Sequence, residues 1–223
     1  TQGESHMGLK QELDAFKAQF VQTAPAGRFA LYTAKIEELR QSFARDNAIT
    51  EGDIAPDFSL PDAKGGSVTL SALLAQGPTV ITFYRGGWCP YCNIQLRAYQ
   101  AILPQIAAAG ASLVAISPQA PDRTLSTAET NALTFHVLSD LENRVARSFG
   151  LVYSLPEEIR AALRSVNKAL PEINGDDSWE LPVPSTYVVT GNGRVTLAHI
   201  DVDYTQRLEP GEILAALRSR KAA

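Results

Sequence analysis

Apolar residues recur at helical spacing twice near the start of the chain: Leu9, Leu13, Phe16 and Phe20, then Phe29, Tyr32, Ile36, Leu39 and Phe43. Pro25-Ala26-Gly27 parts the two runs as a helix breaker should. Residues 8–48 therefore read as a helical hairpin, and residues 8–50 as an arm ahead of a domain spanning 51–223. The arm's apolar face has two uses, packing on its own domain or contacting a second copy in a homodimer.

From Glu51 the texture changes. Gly52 to Leu60 is a short extended segment, and Asp62-Ala63-Lys64-Gly65-Gly66 is a turn leading into Val68-Thr69-Leu70. Thr79 to Tyr84 is β-branched and aromatic, the mark of a buried central strand. A loop, Arg85-Gly86-Gly87-Trp88, precedes a helix opening at Cys89, whose stripe is Leu96, Tyr99, Leu103 and Ile106, with Pro104 bending or shortening it. Ser112–Ser117 and Thr134–Leu138 read as further strands, and Asp140 as the N-cap of a helix reaching Phe149 and stopped by Gly150. Residues 156–170 read as a charged helix and 171–182 as irregular. Ser185–Thr190 and Arg194–Ile200 are strands joined by Gly191-Asn192-Gly193, a strong hairpin signal, and Glu212–Arg218 is a closing helix. Strands alternating with helices and ending in a hairpin predict an α/β protein: a central mixed sheet flanked by helices.

Composition supports a packed domain, with 45% hydrophobic and 20% charged residues in 223. A net charge of −4 with mixed signs and no basic tract argues against nucleic acid or an anionic membrane as partner. No apolar run approaches the roughly 20 residues of a membrane span. Ser5-His6 ahead of the single methionine, Met7, looks like a cloning remnant, and a cytoplasmic location is the expectation.

The chemistry lies in the only two cysteines, in Trp88-Cys89-Pro90-Tyr91-Cys92, where a strand hands over to a helix. Free N–H groups and the helix dipole at that point stabilise a thiolate. Pro90 tolerates an early helical position. Cys92 lies about one turn on, close enough for a small reducible disulfide with Cys89. Arg85 is a candidate activator of Cys89, and Trp88 and Tyr91 either shape a docking surface or cover the pair. Pro184 before the strand Ser185–Thr190 is either a cis-proline beside the site or a plain strand-opening residue. Zinc would need a second cysteine pair, and His6, His136 and His199 are scattered, so neither metal nor organic cofactor is expected. Inert packing is the remaining alternative for the two sulfurs.

Three segments carry a family resemblance: Gly52 to Phe58, Phe83 to Cys92, and Ala115-Ile116-Ser117-Pro118-Gln119. With the tail Asp203-Tyr204-Thr205-Gln206-Arg207-Leu208-Glu209-Pro210, they resemble the alkyl hydroperoxide reductase/thiol-specific antioxidant family, in a peroxiredoxin-like branch with a CxxC pair. The resemblance implies a thioredoxin fold and redox activity. Laid on the family's Pro-x-x-x-Thr/Ser-x-x-Cys motif, Cys92 takes the peroxidatic position, Cys89 replaces the Thr/Ser and Arg85 the Pro. Pro184 stands about where a distant Arg is expected.

With those groups replaced, the site looks like thioredoxin, which favours thiol–disulfide exchange with Cys89 attacking first. The alternative is a thiol-dependent peroxidase with Cys92 peroxidatic and Cys89 resolving. A third reading, from another class, is a redox-responsive binding protein that uses the arm. The expected partners are a disulfide or hydroperoxide and an external reductant of the thioredoxin or glutathione type.

Overall fold

The computed structural model describes residues 7–219, so Ser5-His6 lies outside the described residues. Two helices come first, α1 (Leu9–Thr23) and α2 (Arg28–Ser42), separated by the break at Pro25. Next are β1 (Ser59–Pro61), β2 (Ser67–Thr69), α3 (Leu70–Leu74) and β3 (Thr79–Phe83). Then come α4 (Pro90–Ala101), α5 (Leu103–Ala108), β4 (Ser112–Ser117), α6 (Pro121–Thr130) and β5 (His136–Ser139). They are followed by α7 (Arg144–Ser148), β6 (Val152–Ser154), α8 (Glu157–Arg164) and α9 (Leu170–Asn174). The chain closes with β7 (Glu180–Pro182), β8 (Ser185–Val189), β9 (Val195–Ile200) and α10 (Pro210–Ser219).

A five-stranded sheet in the order β5-β4-β3-β8-β9 forms the centre. β3, β4 and β5 run parallel, and β8 and β9 complete it antiparallel. This is the mixed, helix-flanked sheet of a thioredoxin-like fold. All five residues of β3 are buried because the sheet is covered on both faces. Their side chains alternate: Val80 and Tyr84 join one core with Leu96, Tyr99, Ile106 and Ile213, while Ile81 and Phe83 join another with Leu70, Phe149 and Tyr187. The segment 52–55 runs along β9, with Val195 N donating to Asp53 O at 2.9 Å.

α1 sinks Leu9 and Leu13 into the first of these cores, so this part of the arm packs on its own domain. α2 buries none of its residues fully, and Phe43, the last of its expected stripe, is the C-cap beyond its end. It leans on α1 through stacked Phe20 and Tyr32, and on α8 through the Lys35–Glu158 ion pair at 3.1 Å.

Two expectations change. The charged helix of 156–170 ends at Arg164, because Asn167 turns left-handed (φ +57°) and Pro171 is accommodated by starting a new helix, α9. Part of the stretch read as irregular pairs as β7 with β6, and Trp179, Leu181 and Leu155 form a third core beneath α8. The helix between β4 and β5 falls on Pro121–Thr130; its apolar signal is weak because Thr124 and Thr127 are among its buried residues. Pro104 does shorten α4: the chain breaks at Ile102 and restarts with the proline in the first turn of α5.

Candidate active site

The site forms where β3 ends and α4 begins. Cys89 is the N-cap of α4, Pro90 its first residue, and Cys92 lies in its first turn. The preceding loop is pressed against α6. Gly87 N donates to Gln119 Oε1 at 3.1 Å, and a Cβ on Gly87 would come within 2.2 Å of Thr127 Oγ1. A side chain there would push the loop, and the cysteines after it, off the helix mouth.

Both cysteines are free thiols and both are buried, Cys89 at 1% and Cys92 at 0% exposure. Their surroundings are nonetheless not those of inert packing. Arg207 Nη2 donates to Cys92 Sγ at 3.2 Å. The same guanidinium donates through Nε to Tyr204 O at 2.8 Å and through Nη1 to Gln95 Oε1. Gln95 in turn donates to Thr82 Oγ1 at 3.1 Å, anchoring the assembly to the sheet. A fork fixed at three corners holds its charge against one sulfur. Arg85 stands over the other: its Nη1 lies 3.9 Å from Cys89 Sγ, and its guanidinium sits over the rings of Tyr204 at 4.1 Å and Trp88 at 4.8 Å.

These charges separate the two thiols. Burial alone would raise Cys92, but a hydrogen bond from Cys89 together with Arg207 and Arg85 outweighs it and holds Cys92 well below the ordinary thiol range. Cys89 is pushed well above that range, by burial first and then by its bond to Cys92 and the charge there, against the pull of both arginines. Both shifts run the same way, favouring the proton on Cys89 and the charge on Cys92. Cys89 is the sulfur thioredoxin logic makes the first nucleophile, and its surroundings disfavour it as a thiolate.

Cys89, Arg85, Trp88 and Tyr91 meet at the floor of a cavity of about 430 Å³. The hairpin α1–α2 and the α8 region wall it, and Cys92 lies behind Cys89, outside the lining. Pro184 is outside that lining, but the register of β3 with β8, Phe83 opposite Ser185, sets it across from Tyr84 at the end of β3. It is buried at the start of β8, its carbonyl accepts from Asp201 N at 3.4 Å, and no peptide bond among the described residues is cis. The guanidinium beside Cys92 is that of Arg207. Sequence reasoning quoted Arg207 within the family-like tail but gave it no role, because nothing local brings a residue 115 positions away to Cys92. Gln95, three residues after Cys92 on the same helix face, had a legible signal: a polar residue within the apolar stripe of α4.

A profile of the AhpC/TSA family matches residues 52–198. A putative peroxiredoxin of Mycobacterium tuberculosis is 28% identical over 157 residues, covering 70% of this chain and 88% of that protein. Peroxiredoxin Bcp of Escherichia coli is 33% identical over 105 residues, 47% of this chain and 67% of its own length. Among solved structures, peroxidoxin BcpB from M. tuberculosis superposes with a TM-score of 0.60 at 25% identity, covering 77% of this chain and 97% of the other. Peroxiredoxin Q of Xanthomonas campestris reaches 0.59 at 22% identity over 78% and 98%, a likeness of fold. Among the described residues no helix is long and apolar enough to cross a membrane.

Proposed function

This chain belongs to the AhpC/TSA family of thiol-dependent antioxidant enzymes, and from that premise we propose that it reduces hydroperoxides with Cys92 attacking and Cys89 resolving. The observation that carries the reading is Arg207 Nη2 held 3.2 Å from Cys92 Sγ. The Cys92 thiolate attacks one peroxide oxygen; an S–O bond forms as the O–O bond breaks. The departing alkoxide takes a proton and leaves as alcohol, and Cys92 becomes a sulfenic acid. Cys89 then gives up its proton and attacks the sulfenic sulfur. A Cys89–Cys92 disulfide forms and the hydroxyl leaves as water. Two electrons from an external thiol restore the dithiol.

Arg207 has two tasks in this scheme. It keeps Cys92 ionised, and its positive fork faces the oxygen on which charge develops as the peroxide bond stretches. Cys89 fills the position of the motif's Thr/Ser by donating a hydrogen bond to the thiolate. Arg85 remains beside Cys89 after Cys92 has lost its negative charge, and there it favours the thiolate that must resolve.

Stopped-flow tryptophan fluorescence with a hydroperoxide tests the assignment. The wild type gives a fast oxidation phase, Cys92→Ser loses it, and Cys89→Ser keeps it but stops at a sulfenic acid that dimedone traps. A fast phase surviving in Cys92→Ser would end the reading.

A further inference from the structure

A disulfide between Cys89 and Cys92 has to be reopened by a thiol from outside, and two features of the site decide where that thiol attacks. The first is access, since Cys89 lines the cavity and Cys92 does not. The second is the leaving group. In thiol–disulfide exchange the sulfur with the lower pKa leaves faster, and Arg207 at 3.2 Å stabilises Cys92 as it departs. Both place the incoming bond on Cys89.

The cavity then restricts what can arrive. Its floor sulfur is 1% exposed and its volume of about 430 Å³ is that of a small-molecule site. Its walls come from α1, α2 and the α8 region, so a folded protein's dithiol meets the hairpin before it meets the sulfur. The lining is mainly apolar but its charges are lopsided: Arg28, Lys35, Arg85 and Lys168 against Glu38 alone. Lys35 is already paired, with Glu38 at 3.0 Å and Glu158 at 3.1 Å. The other three have no carboxylate partner among the described residues. Arg28 donates to Ala162 O and Ser165 Oγ, and Lys168 Nζ makes no hydrogen bond. Arg85 is 5% exposed, lies beside Cys89, and its Nε is buried without an acceptor. Once the disulfide has removed the Cys92 thiolate, a buried guanidinium with a vacant donor and no carboxylate beside it is costly unless an anion completes it.

We propose that this cavity is the docking site of the reductant, a low-molecular-weight thiol carrying a carboxylate, which is received by Arg85 and Lys168 and attacks Cys89. The proposal rests on the reading above only in needing a Cys89–Cys92 disulfide to form. The thiolate attacks Cys89 Sγ, a mixed disulfide forms there, the Cys89–Cys92 bond breaks and Cys92 leaves as thiolate. A second molecule of the thiol attacks the mixed disulfide. It releases the oxidised small-molecule disulfide and returns Cys89 as a thiol, a transfer of two electrons in all.

The test starts from full-length protein oxidised with diamide, so that no peroxide chemistry enters. Reduction is followed by acid quench and mass spectrometry with 3-mercaptopropionate, 2-mercaptoethanol and cysteamine, compared at equal thiolate concentration, and with a bacterial thioredoxin. The anionic thiol is expected to reduce the pair on the order of tenfold faster than the cationic one, as for a partly buried charge pair. The transient adduct should map to Cys89, and Lys168→Glu should reverse the order of the two charged thiols, which a merely unfolded variant would not do. Equal rates, an adduct on Cys92, or thioredoxin outpacing the small thiols would overturn the proposal. Failure of diamide to form the disulfide would overturn it together with the resolving step. Loss of the hydroperoxide phase alongside an intact preference for the anionic thiol would sink the peroxidase reading and leave this one standing.

Discussion

Two sulfurs three positions apart behave as different chemical groups here because one guanidinium reaches only one of them. Arg207 donates to Cys92, and burial then works in its favour, since the low-dielectric surroundings strengthen the pairing that opposes desolvation. Replacing Arg207 with Met removes a hydrogen bond to a charged group, about 1.5–3 kcal/mol. The Cys92 oxidation rate at neutral pH is therefore expected to fall roughly ten- to a hundredfold in stopped-flow assays. The sign of the pH dependence follows from the lowered Cys92 value. Wild-type reactivity should be flat around neutrality and fall only as acid protonates the thiolate. In Arg207→Met the midpoint should move up, toward the free-thiol value of about 8.5, so that activity still rises above neutral pH. Thiolate absorbance at about 240 nm, titrated in the Cys89→Ser background, reads the same shift directly. The neighbouring Tyr91, pushed to about 12 chiefly by burial, stays protonated throughout.

At the scale of elements, the site depends on tight crossings. The link from the arm to the domain passes over the end of α7, where Ile49 N donates to Phe149 O at 3.0 Å. Gly150 sits there with φ +71°, and a Cβ on it would lie 2.2 Å from Asn47 O. Gly150→Ala combines left-handed strain with a backbone clash, so urea denaturation should show a loss of about 2 kcal/mol or more. Asp140 at the other end of α7 accepts from Val145 N and Ala146 N, each at 2.9 Å. The expected cap at Asp140 thus lies four residues ahead of the helix, because Glu142 and Asn143 turn left-handed and Asn143 is the N-cap, whereas the stop at Gly150 was legible. The positions of α4, the hairpin β8–β9 and the break at Pro104 were legible for the same reason, because local sequence decides them. The ladder β6–β7 was not. Its strands are three residues each and pair across a stretch containing two helices, which no local pattern announces.

At the scale of the whole molecule, the arm divides into an anchored half and a roof. Leu13 of α1 is 3% exposed in the same core as Cys92 and Leu96, so Leu13→Ala is expected to cost about 2–4 kcal/mol in equilibrium unfolding. α2 has no fully buried residue and spans the cavity between α1 and α8. With little apolar burial to hold it, its amides should exchange with deuterium faster than those of α1 and α4 in mass-spectrometric measurements, which would give small molecules a way in. Protection in α2 equal to that of α4 would show a rigid roof.

The strands of the central sheet, the helix that opens at the CxxC and the position of both cysteines were determined by sequence alone, because periodicity, turn residues and a CxxC at a helix start act over a few residues. Which sulfur is favoured as the thiolate was decided only by the tertiary structure. Cys89 and Cys92 share a helix end and differ only in what the rest of the chain brings to them: Arg85 and an apolar cavity on one side, Arg207 and Gln95 on the other. Electrostatic interactions act through space and take no account of separation along the chain. The same reason explains why the guanidinium beside Cys92 comes from Arg207, far along the chain, and not from position 184.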